Sequence, residues 1–167
     1  RHAQKRVEET GLPLVYVNMV GGQDELVFDG RSFALNAHGD TILRAPEFES
    51  WTGSLRFEKD GDDSGRLSAV DADALTEEKD RDSTLYSALI TGLRDYVQKN
   101  GFTGVLIAMS GGIDSAMSAA IAADALGPQN VTCVMMPSPF TAQSSLDDAQ
   151  SCAQALGTGY ETIAMSH

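Results

Sequence analysis

Positive charge, cysteine and long apolar runs are all scarce in this sequence, and each shortage excludes a class of protein. Of its 167 residues, 12 are lysine or arginine and 24 are aspartate or glutamate, so the formal net charge is −12 at pH 7. The basic residues are scattered along the chain, whereas a nucleic-acid-binding protein needs a basic face. No apolar run approaches the length of a membrane span, and no stretch has the pattern of a signal peptide. We therefore expect neither nucleic acid nor a membrane as a partner.

The 2 cysteines, Cys133 and Cys152, lack the spacing of a metal site. They fall in segments with a strand and a helix pattern, which favours buried, reduced thiols over a disulfide and indicates a cytoplasmic protein. Because the chain is so acidic, any phosphate ligand has to be held by backbone amides, by a metal ion, or by charges outside the chain.

Both ends of the sequence have the character of cut points. The first residues are Arg1 and His2 in place of an initiating methionine, and Met165-Ser166-His167 follow directly on a strand-like run. We therefore expect an internal piece of a longer polypeptide.

The composition divides this piece into residues 1–50, an acidic linker over 51–82, and residues 83–167. In the first block a charged helix end stops at Gly11, and the apolar run LPLVYVNMV has the pattern of a buried strand. Two further strand-like runs follow, separated by Asp-Gly and His-Gly-Asp turn signals.

The linker EKDGDDSGR is polar, acidic and glycine-containing. This composition is typical of a surface segment, in which RLSAV is expected to form a short edge strand. We place the boundary between the two domains between Ala74 and Asp82.

Residues 83–167 alternate between strand and helix patterns. Ser83 is placed to cap a first helix, and the runs GVLIAMS, VTCVMMP and YETIAM are expected to be buried strands. Helices from about Ser115 to Leu126 and over SSLDDAQSCAQALG separate these runs. The alternation predicts a doubly wound parallel α/β sheet. The apolar face of the first helix is expected to carry Leu85, Leu89, Leu93, Tyr96 and Val97.

A Ser-Gly-Gly motif lies where the first of these strands gives way to a helix. Ligands of open α/β sheets bind at such junctions, beyond the carboxyl ends of the strands. Gly111 and Gly112 allow a tight turn and a close approach of phosphate oxygens to the backbone. Ser110 and Ser115 add hydroxyl donors for a ligand, and the start of the helix presents unpaired N–H groups. The segment therefore predicts an anion cradle.

The loop has no lysine, which separates it from the Walker pattern Gly-Lys-Ser/Thr. It also lacks the Gly-x-Gly-x-x-Gly pattern of dinucleotide-binding proteins. Asp114 occupies the corresponding region, and an acid beside phosphates repels them unless it holds a divalent cation. We therefore expect Asp114 to bind a metal ion, with a helix-capping role as the alternative.

Three segments resemble a known family. SGGIDSA after an apolar strand resembles the loop of ATP pyrophosphatases, which adenylate a substrate and release pyrophosphate. YVNMVGGQDELVFDGRSFALNAHGD resembles the C-terminal part of a nitrilase-type amidase domain, and its GGQDELVFDG is similar to the version in glutamine-dependent NAD synthetases. MPSPFTAQSSLDDAQSCAQALG resembles the second strand and following helix of their synthetase domain. Nearly the whole chain, apart from the acidic linker, is thus similar to this family.

The resemblance implies that residues 1–50 end a nitrilase-like α/β sandwich and that residues 83–167 begin a doubly wound synthetase domain, both incomplete. It implies a ligase with ATP, deamido-NAD and glutamine as substrates, Mg²⁺ held by Asp114, and assembly into a homo-oligomer. Ser138 and Phe140 are candidate adenosine contacts. The implied residues that bind ATP and pyrophosphate are Ala108, Met109, Ser110, Gly111, Gly112, Ile113, Asp114 and Ser115.

The Glu–Lys–Cys triad of the family's glutaminase would precede Arg1, so we assign no catalytic residue to this chain. The piece alone is not expected to complete either reaction. Two alternatives stay open: a related ligase that amidates or thiolates another acceptor, and a non-catalytic fragment that acts only in assembly.

Other polar or sulfur-containing side chains are expected to have structural roles. These are turn or interface hydrogen bonds for Asp24, Glu25 and Asp29, a turn for His38, core packing for Met135 and Met136, and a favourable place in the first turn of a helix for Asp147 and Asp148.

Overall fold

The computed structural model describes residues 2–58, 66–70 and 75–165. The helices of these residues are α1 (His2–Thr10), α2 (Arg81–Lys99), α3 (Ile113–Leu126) and α4 (Gln143–Leu156). The strands are β1 (Leu14–Tyr16), β2 (Val20–Gln23), β3 (Leu26–Asp29), β4 (Phe33–Leu35), β5 (Thr41–Arg44), β6 (Leu55–Glu58), β7 (Arg66–Ala69), β8 (Val105–Met109), β9 (Val131–Met135) and β10 (Gly159–Thr162).

The chain divides into two compact units. The first runs to Gly21 and resumes over Val27–Ala88, and the second contains Gly22–Leu26 and the chain from Leu89 onward. The change of unit falls between Ala88 and Leu89 inside α2, whereas the composition predicted the boundary between Ala74 and Asp82. The limits of the expected domains stay predictions.

The core of the first unit is small and built from strands. Strands β1, β4 and β5 form an antiparallel sheet in the order β1-β4-β5, and β6 pairs with β7 in a separate antiparallel hairpin. Ala34, Leu43 and Leu67 are buried together, so β7 contributes to the same core as the sheet. Helix α1 ends as predicted, because Gly11, at φ +68°, donates its N–H to the carbonyl oxygen of Val7 at 2.7 Å.

The turn between β4 and β5 is built by one asparagine side chain. Asn36 Oδ1 accepts the N–H groups of His38 and Asp40, each at 2.9 Å. This confirms His38 as a turn residue.

The apolar run LPLVYVNMV is a strand only over β1, and the prediction that it is buried is wrong. Val15 is 52% exposed and Val17 is 80% exposed. Side chains of a strand point to the two faces of its sheet, and both Val15 and its neighbour Tyr16 are exposed, so the described residues cover neither face well at this edge strand.

The stretch 51–82, predicted to be a linker, contains the β6–β7 hairpin. The edge strand predicted at RLSAV is confirmed as β7. The sequence did not indicate β6, because its four residues LRFE are too few to show a hydrophobic period. The acidic residues 59–65 and the predicted limit at Ala74 lie outside the described residues.

The second unit confirms the α/β prediction. Strands β8, β9 and β10 form a parallel sheet in the order β10-β9-β8. The connections through α3 and α4 step across the sheet in one direction, so right-handed crossovers place both helices on the same face. The core on that face consists of small and sulfur-containing side chains: Met109, Ala119, Cys133, Met135, Ala149 and Ala153.

The sulfur-containing residues mostly lie as predicted. Cys133 is buried, Cys152 is partly buried, and both are free thiols. Met135 lies in the core, but the prediction that Met136 also does is wrong, because Met136 is 44% exposed. Successive side chains of an extended chain point to opposite faces, so the residue after a core methionine faces away from the core.

Two surfaces predicted to be buried are exposed in the described residues. Leu106 in β8 is 75% exposed, because α3 and α4 cover only the face that carries Ile107 and Met109. On α2, Val97 is buried, but three members of the predicted apolar face are exposed: Leu85, Leu89 and Tyr96.

Helix α2 is capped by Asp80 and not by Ser83. The Asp80 carboxylate accepts the N–H groups of Asp82 and Ser83 at 3.0 Å and the Ser83 hydroxyl at 2.6 Å. These hydrogen bonds, that of the Ser83 hydroxyl first, hold the pKa of Asp80 below its ordinary value of 3.8. The prediction at Ser83 is wrong because the helix begins two residues earlier, at Arg81.

We expect Asp80→Ala to fray the first turn of α2, because two N–H groups lose their acceptor. Hydrogen exchange at the amides of Asp82 and Ser83 should become faster, whereas Asp80→Asn should retain much of the protection. A depressed pKa makes the contribution of this cap complete above 3.8 and lost only as the pH falls through the lower folded-state value. Asp82→Ala is the control, and equal protection in Asp80→Ala and the native chain would contradict the cap.

Candidate phosphate-binding loop

The Ser-Gly-Gly segment forms the junction of β8 and α3, as predicted. Gly111 has φ +78°, and a Cβ built on it would lie 2.5 Å from the carbonyl oxygen of Ser145. The loop therefore passes directly against the first turn of α4, and backbone atoms leave no space for a side chain at Gly111. Gly112, at φ −95° and ψ 164°, is the N-cap residue of α3.

Two serine hydroxyls brace the loop from inside. Ser115 Oγ accepts the N–H of Ser110 at 3.2 Å and donates to the carbonyl oxygen of Gly112 at 2.9 Å. Ser110 Oγ accepts the N–H of Gly112 at 3.2 Å and lies 3.1 Å from Ser115 Oγ. Because Ser115 donates to Gly112, Ser110 must be the donor between the two hydroxyls. Both hydroxyl protons are thus used within the loop, although they were predicted as donors to a ligand.

The free donors of the loop are backbone N–H groups. The first helical hydrogen bond runs from the N–H of Ala116 to the carbonyl oxygen of Gly112. In the described part of the chain, no protein acceptor takes the N–H groups of Gly111, Ile113, Asp114 and Ser115. These groups lie at the N-terminus of a 14-residue helix, where the helix dipole also favours an anion. This is the donor set that an anion cradle requires.

A cavity of about 240 Å³ adjoins the loop. Asp148 and Cys152 of α4 line it from one side, and its other lining residues are Met109, Gly111, Gly112, Ile113 and Ala116.

Asp147 accepts a hydrogen bond from Gln143 Nε2 at 2.9 Å. The prediction that both aspartates lie in the first turn of α4 is wrong, because this helix begins at Gln143.

Asp114 lies in the first turn of α3 with an exposed side chain. No side chain caps α3, so the alternative role of Asp114 as a helix cap is not supported. The described ranges contain no group of three or more histidine, cysteine, aspartate or glutamate side chains that could hold a metal ion. A cation at Asp114 would therefore take most of its ligands from a nucleotide and from water. The assignment of the metal to Asp114 stays a prediction.

The two candidate adenosine contacts lie in the turn between β9 and α4. Ser138 donates its N–H to Thr141 Oγ1 at 2.9 Å, and its Oγ accepts the N–H of Phe140 at 3.2 Å. The Ser138 side chain thus stabilises the turn. Phe140 is 89% exposed, which leaves the faces of its ring accessible for stacking on a base. Both contacts stay predictions.

Three acidic residues of the first block were expected to have structural roles in turns or interfaces. Asp29 accepts a hydrogen bond from Asn18 Nδ2 at 3.0 Å, which agrees with the expected role in turn or interface hydrogen bonds. Asp24, at φ +51°, lies in the turn between β2 and β3, and Glu25 beside it is exposed.

Sequence patterns missed two polar networks. Glu47 is buried at 5% exposure, where it pairs with Arg31 and accepts the Thr84 hydroxyl at 2.9 Å. Asp95 and Lys99 of α2 both bind the backbone of Gly22. Contacts between residues so far apart in sequence leave no local pattern to detect.

A parallel sheet with a glycine loop at the carboxyl end of a strand defines an α/β unit of the class that binds ligands at strand–helix junctions. The NAD synthase family model matches residues 85–167, and this part of the chain belongs to that family. The resemblance found in the sequence is thereby confirmed.

Similarity to glutamine-dependent NAD(+) synthetases extends over nearly the whole chain. The chain is 49% identical over 158 residues to the enzyme of Rhodobacter capsulatus, which covers 95% of this chain and 28% of that protein. It is 42% identical over 163 residues to the enzyme of Synechocystis sp., which covers 97% of this chain and 28% of that protein. The chain thus spans little more than a quarter of the length of these relatives.

A solved structure supports the same assignment. The glutamine-dependent NAD+ synthetase of Acinetobacter baumannii in complex with adenosine diphosphate matches with a TM-score of 0.85 and 37% identity. The match covers 96% of this chain and 30% of that one. Within the described ranges, no helix is both long and apolar enough to cross a membrane.

We expect Gly111→Ala to destabilise the chain more than Gly101→Ala, its matched control. Both glycines have a positive φ, +78° and +73°, but only at Gly111 would the new methyl group meet backbone atoms. The left-handed conformation should cost each variant about 1 kcal/mol, and the contact with Ser145 should cost Gly111→Ala about 1–3 kcal/mol more. Urea unfolding of the two variants measures the difference, and equal losses would show that the loop does not press on α4.

Proposed function

We propose that this chain is the junction segment of a ligase that converts deamido-NAD to NAD with ATP and glutamine. The observation that carries the proposal is the loop at the end of β8, whose unbonded N–H groups point to a phosphate ligand. Gly111 and the serine brace hold those groups in place. The names of the relatives support the choice of reaction, and the ADP complex of one of them supports a nucleotide as the ligand.

In this proposal the loop binds the phosphates of ATP without a basic side chain. Oxygens of the phosphates accept the N–H groups of Gly111, Ile113, Asp114 and Ser115, which the helix dipole makes better donors. Bound Mg²⁺ would neutralise charge on the phosphates and orient them. Mg²⁺ usually takes only one or two protein carboxylates beside phosphates and water, so the single exposed carboxylate of Asp114 fits that donor set.

The proposed reaction has two steps. The nicotinate carboxylate of deamido-NAD attacks the α-phosphorus of ATP, which breaks the bond to pyrophosphate and forms an adenylate. Ammonia released from glutamine then displaces AMP and forms the amide. The loop contributes by holding the departing pyrophosphate in position and by stabilising its charge. The residues that hydrolyse glutamine are not assigned to this chain.

The proposal also covers the contact with adenine, the oligomeric state, the location and the choice of acceptor. Phe140 is proposed to stack on the adenine of ATP, with Ser138 fixing the turn that presents the ring. A homo-oligomer in the cytoplasm, with no nucleic acid bound, completes the proposal. A ligase for another acceptor is the second candidate, but the similarity of the first block to glutamine-dependent relatives favours deamido-NAD.

We expect Asp114→Asn to weaken the binding of ATP in the presence of Mg²⁺ by at least about tenfold, because the metal loses its charged protein ligand. Without Mg²⁺ the variant should bind ATP as well as the native protein does, or better, since a negative charge is removed. Calorimetric titration of the full-length polypeptide measures both constants.

The control for this experiment is Asp147→Asn, which removes an equal charge from the exposed side of α4 and should leave both constants unchanged. Equal Mg²⁺ dependence in Asp114→Asn and the native protein would remove Asp114 from the proposed metal site.

A further inference from the structure

A short segment of the first block is structurally part of the second unit. Residues 22–26 belong with the chain from Leu89 onward, although the residues on either side of them belong to the first unit. Gly22 within this segment is buried. We call residues 22–26 the strap.

Helix α2 binds both polar backbone groups of Gly22. The N–H of Gly22 donates to Asp95 Oδ2 at 2.8 Å, and its carbonyl oxygen accepts a hydrogen bond from Lys99 Nζ. Asp95 and Lys99 are separated by four residues in sequence, so they lie on one face of the helix. Lys99 Nζ is 3.6 Å from Asp95 Oδ2. Two side chains of opposite charge thus bind one residue of the strap. Asp95 accepts from its N–H group, and Lys99 donates to its carbonyl oxygen.

The strap approaches the helix closely at Gly22. A Cβ on Gly22 would lie 3.2 Å from Asp95 Cβ and 3.3 Å from Gly92 Cα. Both are atoms of the helix itself and have little freedom to move away. Gly92 has no side chain to hold the strap at a distance, so the strap lies directly on the helix backbone.

We call the hydrogen bonds of Asp95 and Lys99 to the backbone of Gly22 the clasp, and the pKa of Asp95 within it is lowered. Burial raises the pKa of Asp95, but the hydrogen bond from Gly22, the hydrogen bond and charge of Arg94, and the charge of Lys99 together hold it below 3.8. A lowered pKa means that the contribution of Asp95 is complete above 3.8 and is lost only as the pH falls through the folded-state value. The Asp95 carboxylate is therefore ionised at neutral pH, the form that accepts the N–H of Gly22.

Helix α2, which makes the contacts with Gly22, is followed in sequence by β8 and the candidate phosphate-binding loop. Five residues join the end of α2 to β8, and β8 ends at the loop. Building the sheet of the second unit does not require residues from the first block, since β8, β9 and β10 pair with one another. The strap is thus an addition to that unit, specified by two glycines and two charged side chains.

We propose that Asp95 and Lys99 are positioning residues that couple the glutamine-hydrolysing half of the enzyme to the nucleotide-binding unit through the strap. The inference rests on the proposed function. Release of the strap should impair the use of ammonia generated from glutamine, whereas ammonia supplied from solution should be used as before. The synthetase chemistry itself needs no contact with the strap.

The test compares NAD formation from glutamine and from ammonium chloride in the full-length enzyme. Asp95→Ala and Lys99→Ala should lower the glutamine-supported kcat at least about fivefold, within the usual range of coupling between sites. The ammonia-supported kcat and the KM for ATP should stay within about twofold of the native values. Lys99→Arg, which keeps a donor, should recover part of the loss.

Asp82→Ala and Gln98→Ala, exposed positions on the same helix, are the controls and should change neither rate. Should Asp95→Ala fail to fold, Lys99→Ala decides, with circular dichroism and exchange at the Gly22 amide reporting on the fold and the clasp. An equal fall with both nitrogen sources, or no fall with either, would overturn the coupling role. A native enzyme that makes no NAD from either source would overturn the proposed function instead.

Discussion

The contact of Gly111 with the first turn of α4 is the constraint on which the rest of the site depends. It holds the end of β8 against the helix that follows β9, so the loop, the sheet edge and the cavity keep one arrangement. A side chain at this position would force the loop or α4 to move, since backbone atoms of Ser145 fill the space where a Cβ would lie. The alanine-rich interior beneath it follows the same principle, because small side chains let α3 and α4 approach the sheet and each other closely.

The acidic composition and the loop geometry fit one electrostatic solution. A chain with a net charge of −12 has little positive side-chain charge to offer an anion. Backbone N–H groups at a helix N-terminus attract an anion without adding a titratable group, and they do so only over a short distance. If the loop binds as proposed, it should select a ligand whose phosphate can enter the loop itself. The long-range electrostatic field of so acidic a chain attracts no anion to it.

Local determinants were predictable from the sequence, and determinants that depend on distant residues were not. The loop at Gly111, the end of α1 at Gly11 and the three parallel strands follow from the order of nearby residues. The exposure of Leu106 and Val15 depends on which faces other elements cover, and an apolar run carries no record of that. The clasp of Gly22 by Asp95 joins residues 73 positions apart, and the cap at Asp80 differs from the prediction only by where the helix begins.

The serine brace determines when the loop acquires its order. Because Ser110 and Ser115 bond to each other and to the backbone of Gly112, the loop has its shape before any ligand arrives. Conformational entropy is then lost while the chain folds, and an incoming anion meets donors that are already aligned. Preorganisation of this kind favours rapid capture with little rearrangement. In the proposed function the two small hydroxyls would therefore influence how fast the ligand binds, although neither has a proton to spare for it.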